Sequence, residues 1–300
     1  MARGWRVYYN IILGGFGGLL GWLIAGALPD LIQNALFWEL LTGAVVGASI
    51  GGWLGLAEGL LGKRPARMLG GAFIGATLGL IGGVIGLAIG EGVFLLTRGG
   101  ILGRAIGWGL VGAIVGTPEG IAHRAPRKII YGAGGGLLGG VLGGAGFEVL
   151  TQAGLTFASA GGAFDPSFVV QMQTAAAALG LLLVGACVGA LVAWVEEIFV
   201  RAWLKVVRGK QEGRDFNLVK RVMTIGGDDA NDIPVYDPRV GNRFAVVRQD
   251  GKRVRVECSD ATATLLRAGT REPLAITSPQ TLADGDKILV GDTALLFRQK

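Results

Sequence analysis

The sequence predicts a two-domain protein, an all-α transmembrane domain of six helices followed by an all-β sandwich, and three observations predict it. Six apolar stretches occupy the first 199 residues, at about 9–28, 37–61, 69–96, 101–121, 129–153 and 174–199, each near or above the roughly 20 residues a helix needs to cross a bilayer. Glycine, 55 of 300 residues, recurs through them every three, four or seven positions, which is helical spacing. After about residue 217 the texture changes to short alternating runs bounded by Gly, Asp, Asn and Pro, the mark of strands and turns.

Composition narrows the function classes. A chain that is 51% hydrophobic and 17% charged lies outside the usual range of soluble domains. Nine prolines and no strict glycine triplet exclude collagen. Cys187 and Cys258 stand in different regions, so neither a disulfide framework nor a clustered metal site is expected. The lone histidine, His123 in HRAPRK, has no thiolate or carboxylate cluster to complete a metal site or a nucleophile's base. The strings GAGGG and GLLGG lack the Lys-Ser/Thr of a phosphate loop. A non-enzymatic protein is therefore expected, with no metal and no cofactor. The apolar pattern that begins near Asn10 runs on into further spans, so no cleaved leader is expected.

Within hydrocarbon, backbone groups must pair inside the segment, so stretches this long form helices despite their glycines. Basic residues sort the loops. Arg3 and Arg6 precede the first span, Lys63, Arg64 and Arg67 follow the second, Arg124, Arg127 and Lys128 follow the fourth, and Arg201, Lys205, Arg208 and Lys210 follow the sixth. The opposite loops carry Arg98 and Arg104 alone. The positive-inside rule then places both termini in the cytoplasm, in an inner or plasma membrane. The net charge of +6 thus belongs to the lipid bilayer and not to nucleic acid.

The spans repeat. A shift of 61 residues lays Arg6 on Arg67 and Lys128, Gly14 on Gly75 and Gly136, Gly18 on Gly79 and Gly140, and Gly21 on Gly82 and Gly143. The same shift lays Gly51 on Gly112, Gly55 on Gly116, Glu58 on Glu119 and Pro65 on Pro126. A third even-numbered copy, after about sixteen extra residues around TFASAGGAFDPSF, supplies Gly189 and Glu196. Three tandem hairpins result, at about 6–66, 67–127 and 128–199. The glycine grooves pack helices tightly, either within the chain or against other copies in a homo-oligomer. Glu58, Glu119 and Glu196 end the even spans; they pair with the basic loops, or they line a path. Glu91 and Glu148 break the offset and are expected at the interface.

Residues 200–216, RAWLKVVRGKQEGRDF from Arg201 on, are expected as a basic helical exit and polar linker with Trp203 near the interface. From 217 to 300 the runs LVKRVMTI, FAVVRQ, KRVRVEC, ATLLRA, EPLAI, KILVG and ALLFRQ suggest a sandwich. Within it stand Ile225-Gly226, Asn231-Asp232-Ile233, Asp237-Pro238, and Leu282-Ala-Asp-Gly-Asp-Lys-Ile288 with Gly291. On these residues, the part from about 218 to 298 resembles the forkhead-associated (FHA) domain, a phosphothreonine-recognition β-sandwich. The resemblance implies a phosphate-contacting Arg where this chain has Gly227, a Ser at Gly241, a structural His at Phe244 and a peptide-holding Asn at Arg267. Without these groups a phosphate loses its charge-assisted hydrogen bonds, and Asn242, Arg243 and Arg267 are the donors left. The loops expected to meet a partner comprise Gly227, Asp228, Asn231, Gly241, Asn242, Arg243 and Arg267.

The implied function is a membrane-anchored scaffold that presents this domain to a cytoplasmic protein partner without need of phosphate. The alternative is an oligomeric channel or transporter that the domain regulates.

Overall fold

A computed structural model describes residues 3–28, 34–62, 65–97, 100–122, 124–160, 166–251, 253–258, 263–270 and 272–300, with the backbone alone at 3, 4, 58, 61, 62, 65–67, 158–160 and 166. Lys63, Arg64, Arg98 and His123 of the sequence reading lie outside the described residues. The chain divides into two units, Arg6–Ile198 and one that holds Phe199–Lys300.

The first unit is helical: α1 (Arg3–Ala27), α2 (Ala35–Gly62), α3 (Pro65–Leu96), α4 (Ile101–Val115), α5 (Pro118–Ala122), α6 (Pro126–Ala160) and α7 (Pro166–Phe199). Among the described residues six spans are long and apolar enough to cross a membrane, the fourth being α4 and α5 together. Proline opens α3, α5, α6 and α7, where its missing N–H would have had no intrahelical partner. Asn34 starts α2 by accepting the Phe37 amide at 3.1 Å on Oδ1. The fourth span breaks because Pro118 cannot continue the ladder, and Thr117 closes the broken turn with both its amide and its hydroxyl on the Ile114 carbonyl.

The extra residues expected in a loop around 156–168 mostly lengthen helices instead. α6 has 35 residues and α7 has 34, about 50 Å each, well beyond a hydrocarbon core of about 30 Å. Long apolar side chains such as Leu69, Phe73, Leu96 and Phe157 stand 73–86% exposed on the bundle's outside. In water such surface would drive aggregation; against lipid it is the favourable arrangement.

Glycine dictates how the helices meet. A Cβ added at Gly51, Gly55 or Gly47 would collide with the carbonyls of Gly75, Gly71 or Gly79, so α2 and α3 touch backbone to backbone. α4 and α6 meet likewise at Gly112 with Gly136, Gly116 with Gly132 and Trp108 with Gly140. The last helix meets the first in the same way, Gly185 on Gly14, Leu181 on Gly18 and Gly189 on Asn10. Looser contacts fill the remaining seams: Gly21 on Val46 between α1 and α2, Gly82 on Ile114 and Gly86 on Val111 between α3 and α4, and Gly143 on Val184 between α6 and α7. The helices thus form a closed circuit.

The circuit's interior is solid. Val46, Ile50 and Leu54 of α2, Trp108, Val111 and Val115 of α4, and Val184, Val188 and Val192 of α7 form one buried cluster, so the even-numbered spans supply most of the core.

The second unit is a sandwich that has, among the described residues, the strands β1 (Ala202–Arg208), β2 (Asp215–Asn217), β3 (Val222–Gly226), β4 (Ile233–Pro234), β5 (Ala245–Asp250), β6 (Arg253–Cys258), β7 (Thr264–Leu266), β8 (Pro273–Ala275), β9 (Gln280–Leu282), β10 (Lys287–Val290) and β11 (Thr293–Gln299). One sheet runs β2-β1-β11-β10-β7-β8, the other β4-β3-β5-β6-β9. Every pairing is antiparallel except β3 with β4. Alternate residues of both sheets, among them Leu204, Ile225, Val256, Leu265, Ile288 and Phe297, fill the space between them at 0% exposure.

The sandwich begins earlier than the sequence suggests. The expected helical exit and linker at 200–216 is strand β1, a turn and strand β2. Ala202, Leu204 and Val206 point into the core while Lys205 stands exposed, a period of two that a helix cannot bury.

Candidate functional site

At one end of the sandwich two loops cross at the end of β3. Gly226 is required there, since a Cβ would strike the Asn242 carbonyl and the Asn231 amide. Asn231, 5% exposed, donates its side-chain amide to the carbonyls of Asp228, at 2.9 Å, and Asn242. Gly227 donates its N–H to the Gly241 carbonyl at 2.9 Å, and the Asp228 carboxylate accepts the Ala230 amide at 3.0 Å. The structure therefore gathers Gly227, Asp228, Asn231, Gly241 and Asn242 into one loop pair. Arg243 is exposed beside them, and the next residue, Phe244, is buried at 1% exposure where the resemblance implies a histidine.

Arg267 belongs elsewhere. Its guanidinium donates to the Thr281 carbonyl and to Asp286, both at 2.7 Å, and reaches Gln280 at 3.3 Å. Asp286, 1% exposed, also accepts the amides of Ala268 and Ala283. This buried carboxylate ties β7, β9 and β10 at one point, with Arg267 neutralising it. A residue the sequence offered as a substitute phosphate donor thus spends its guanidinium on an ion pair within the fold, with 37% of its side chain still exposed.

Other motif residues likewise hold turns. Asp237 accepts the amides of Arg239 and Asp292, while Gly291, at φ +58°, lies so close to Asp237 that a side chain there would collide. Lys220 pairs with Asp232 at 2.6 Å, and Asp232 accepts the Thr224 amide at 3.1 Å.

In the bundle, the end that carries the basic loops holds a chain of ion pairs. Lys128, 5% exposed, lies 2.6 Å from Glu119; Arg6 lies 3.6 Å from Glu119 and 3.4 Å from Glu196. The side chain of Glu58 lies outside the described residues. Gly189 packs on Asn10 as Gly116 packs on Gly132, and Asn10 precedes Gly132 by twice 61 residues; measured from that contact, Glu196 lies one turn farther along its helix than Glu119 does from Gly116.

The opposite end holds a polar group that sequence reading missed. Arg104, expected in a loop, lies in the first turn of α4 and pairs with Glu39 of α2 and, at 3.9 Å, with Glu148 of α6. Its guanidinium lies 5.5 Å from the Phe94 ring centroid and 5.9 Å from that of Phe147. Glu148, 9% exposed, also accepts from Gln152 at 2.9 Å. Glu39, Glu91 and Arg104 line a small cavity. The available signal was a lone arginine at a span's edge, with acids near the same ends of neighbouring spans.

These two units define a class: a helical bundle with six membrane-length spans among the described residues, joined to a two-sheet β-sandwich. No protein-family model and no curated protein matches the chain. Solved structures are similar to its C-terminal β part, and several of them are FHA domains. One is the FHA domain of the CT664 protein from Chlamydia trachomatis, with 21% identity over 33% of this chain and 98% of that one at a TM-score of 0.29. Another is the FHA domain of human APLF in complex with an XRCC1 bisphospho peptide, with 18% identity over 33% and 99% at 0.29. A third is the cytoplasmic domain of the T3SS sorting platform protein PscD from P. aeruginosa, with 16% identity over 33% and 80% at 0.29.

Proposed function

We propose that this protein is a non-enzymatic membrane scaffold: a bundle built of three related helical hairpins anchors an FHA-like domain that binds a cytoplasmic protein partner without phosphate. The observation that carries this reading is how the donors at the loop end are used. Gly227 and Gly241 have no side chain to offer, Asn231 holds its own loops together, and Arg267 neutralises buried Asp286. What the loop pair presents outward is a mixed polar surface of Asp228, Asp229, Asn242 and Arg243, suited to a protein contact and lacking an anion cradle.

The solid core of the bundle supports an anchor over a passage. Ile50, Val111 and Val184, each 1–2% exposed, occupy its interior, and Glu119 and Glu196 at the basic end are engaged in ion pairs. All nine glycines of the repeated groove face their own chain, which supports intramolecular packing over a groove reserved for a second copy. Topology with both ends in the cytoplasm follows from the basic loops.

The test is a binding titration of the full chain in nanodiscs with phosphothreonine peptide libraries and their unphosphorylated counterparts. Equal affinity is expected. Binding that is tenfold tighter with phosphate, and lost in Arg243→Ala, would overturn the phosphate-independent reading.

A further inference from the structure

The outer face of the six-stranded sheet carries a pattern that the scaffold reading leaves unused. Residues on that face follow from the register. Lys205 of β1 stands opposite Leu296 of β11, which stands opposite Lys287 of β10, which stands opposite Leu266 of β7. One rung away, Trp203 stands opposite Arg298. Cations and aliphatics thus alternate across four strands, with a tryptophan and an arginine beside them. All six side chains are partly or fully exposed; Arg298 pairs with exposed Asp284 at 3.2 Å, and Lys205 stands opposite Asp215 of the edge strand β2.

The other sheet presents a contrasting face. There Arg248 stands opposite Arg255 and pairs with Glu257 at 3.1 Å, and Asp250 stands opposite Arg253; its strands carry no tryptophan and no lysine, so the face lacks the cation-aliphatic alternation and the indole of the first sheet.

Aliphatic stems with cationic tips, together with tryptophan, make up the chemistry of a membrane interface, where the stems meet acyl chains and the tips meet headgroup phosphates. Chain connectivity supplies the second argument. α7 ends at Phe199 and β1 begins at Ala202; three residues span at most about 10 Å. The strand that carries Trp203 and Lys205 therefore starts close to the end of a membrane-length helix, whatever the arrangement of the two units.

We infer that this sheet face, through Trp203, Lys205, Lys287, Leu296 and Arg298, rests against anionic phospholipid headgroups of the bilayer that the helices span. The inference rests on the membrane reading of the first unit. Held this way, the sandwich lies against the bilayer by one sheet and leaves the other sheet to solvent.

The experiment uses the full chain in nanodiscs, with Cys187→Ala and Cys258→Ala and an environment-sensitive fluorophore at Lys205→Cys or, as a second probe of the same face, Arg298→Cys. Quenching by spin-labelled lipid is compared with a label at Arg255→Cys on the other sheet. In discs containing phosphatidylglycerol, quenching several-fold stronger at 205 and 298 than at 255 is expected. It should fall to the level at 255 in phosphatidylcholine discs, and in salt near 1 M, where charges are screened beyond about 3 Å. Equal quenching at all three positions overturns the inference, as does quenching at 205 and 298 that ignores lipid charge and salt. A chain that stays soluble without detergent and does not enter discs would instead overturn the membrane reading itself.

Discussion

Arg6 in the first helix and Glu196 in the last lie 3.4 Å apart, across 190 residues of sequence. Their pairing fastens the seam between α7 and α1, where Gly185 meets Gly14 and Gly189 meets Asn10. The corresponding seams, α2 with α3 and α4 with α6, join helices that adjoin through short basic loops. The first and last helices have no such loop, so glycine contact and this ion pair take its place. Both side chains are largely withdrawn from water, at 28% and 8% exposure, which makes an unpaired survivor costly.

Reversing one charge, as Glu196→Arg or Arg6→Glu, should destabilise the bundle by roughly 3 kcal/mol, the scale of a broken buried pair. Combining the two should restore only part of the loss, because a carboxylate at position 6 also faces Glu119, 3.6 Å from Arg6. Denaturation midpoints of the full chain in detergent micelles, compared across the four proteins, check this; a double variant no better than its singles would show that the pair does not hold the seam.

Glycine position should matter more than glycine count. Gly75→Leu and Gly136→Leu place side chains into facing backbone and should cost about 3 kcal/mol or more, whereas Gly70→Leu and Gly134→Leu, with nothing within 4 Å among the described residues, should leave the midpoint within about 0.5 kcal/mol. Similar losses at all four positions would count against the described packing.

In the sandwich, Arg267→Ala should lower stability by roughly 3 kcal/mol by leaving Asp286 buried and unpaired. Asn231→Ala should cost roughly 1–3 kcal/mol through the carbonyls it leaves without donors. Far-UV circular dichroism melts follow both. Arg267→Ala with unchanged stability and weakened ligand binding would return that residue to a binding role.

At the opposite end of the bundle, Arg104→Leu should strand Glu39 and Glu148, and adding Glu39→Gln with Glu148→Gln should recover stability. The same melts read this out. Arg104→Leu without effect would mean that the cluster is solvated and structurally idle.

How much of this was legible in the sequence follows from the range of each signal. The helices, their glycine spacing and the turn residues Gly226, Asp237 and Gly291 are local, and each appears where its pattern stands. β1 was obscured because its partner β11 lies about ninety residues on and its basic, apolar texture continues a membrane helix; the alternation of Ala202, Leu204 and Val206 was the better guide. Arg267 looked like a free donor because buried Asp286 is distant in sequence, and the pairing of Glu39 with Arg104 spans 65 residues. In the last helix Glu196 stands seven residues past the contact glycine Gly189, against three from Gly116 to Glu119, since a long side chain reaches across a turn while backbone contact tolerates no such shift.

The most direct test of the scaffold account is photo-crosslinking from Asn242 or Arg243 of the full chain in intact membranes. The account predicts a protein adduct that persists after phosphatase treatment of the membranes and is absent when the crosslinker is moved to buried Phe244. No adduct from either position, or one abolished by phosphatase, would contradict it.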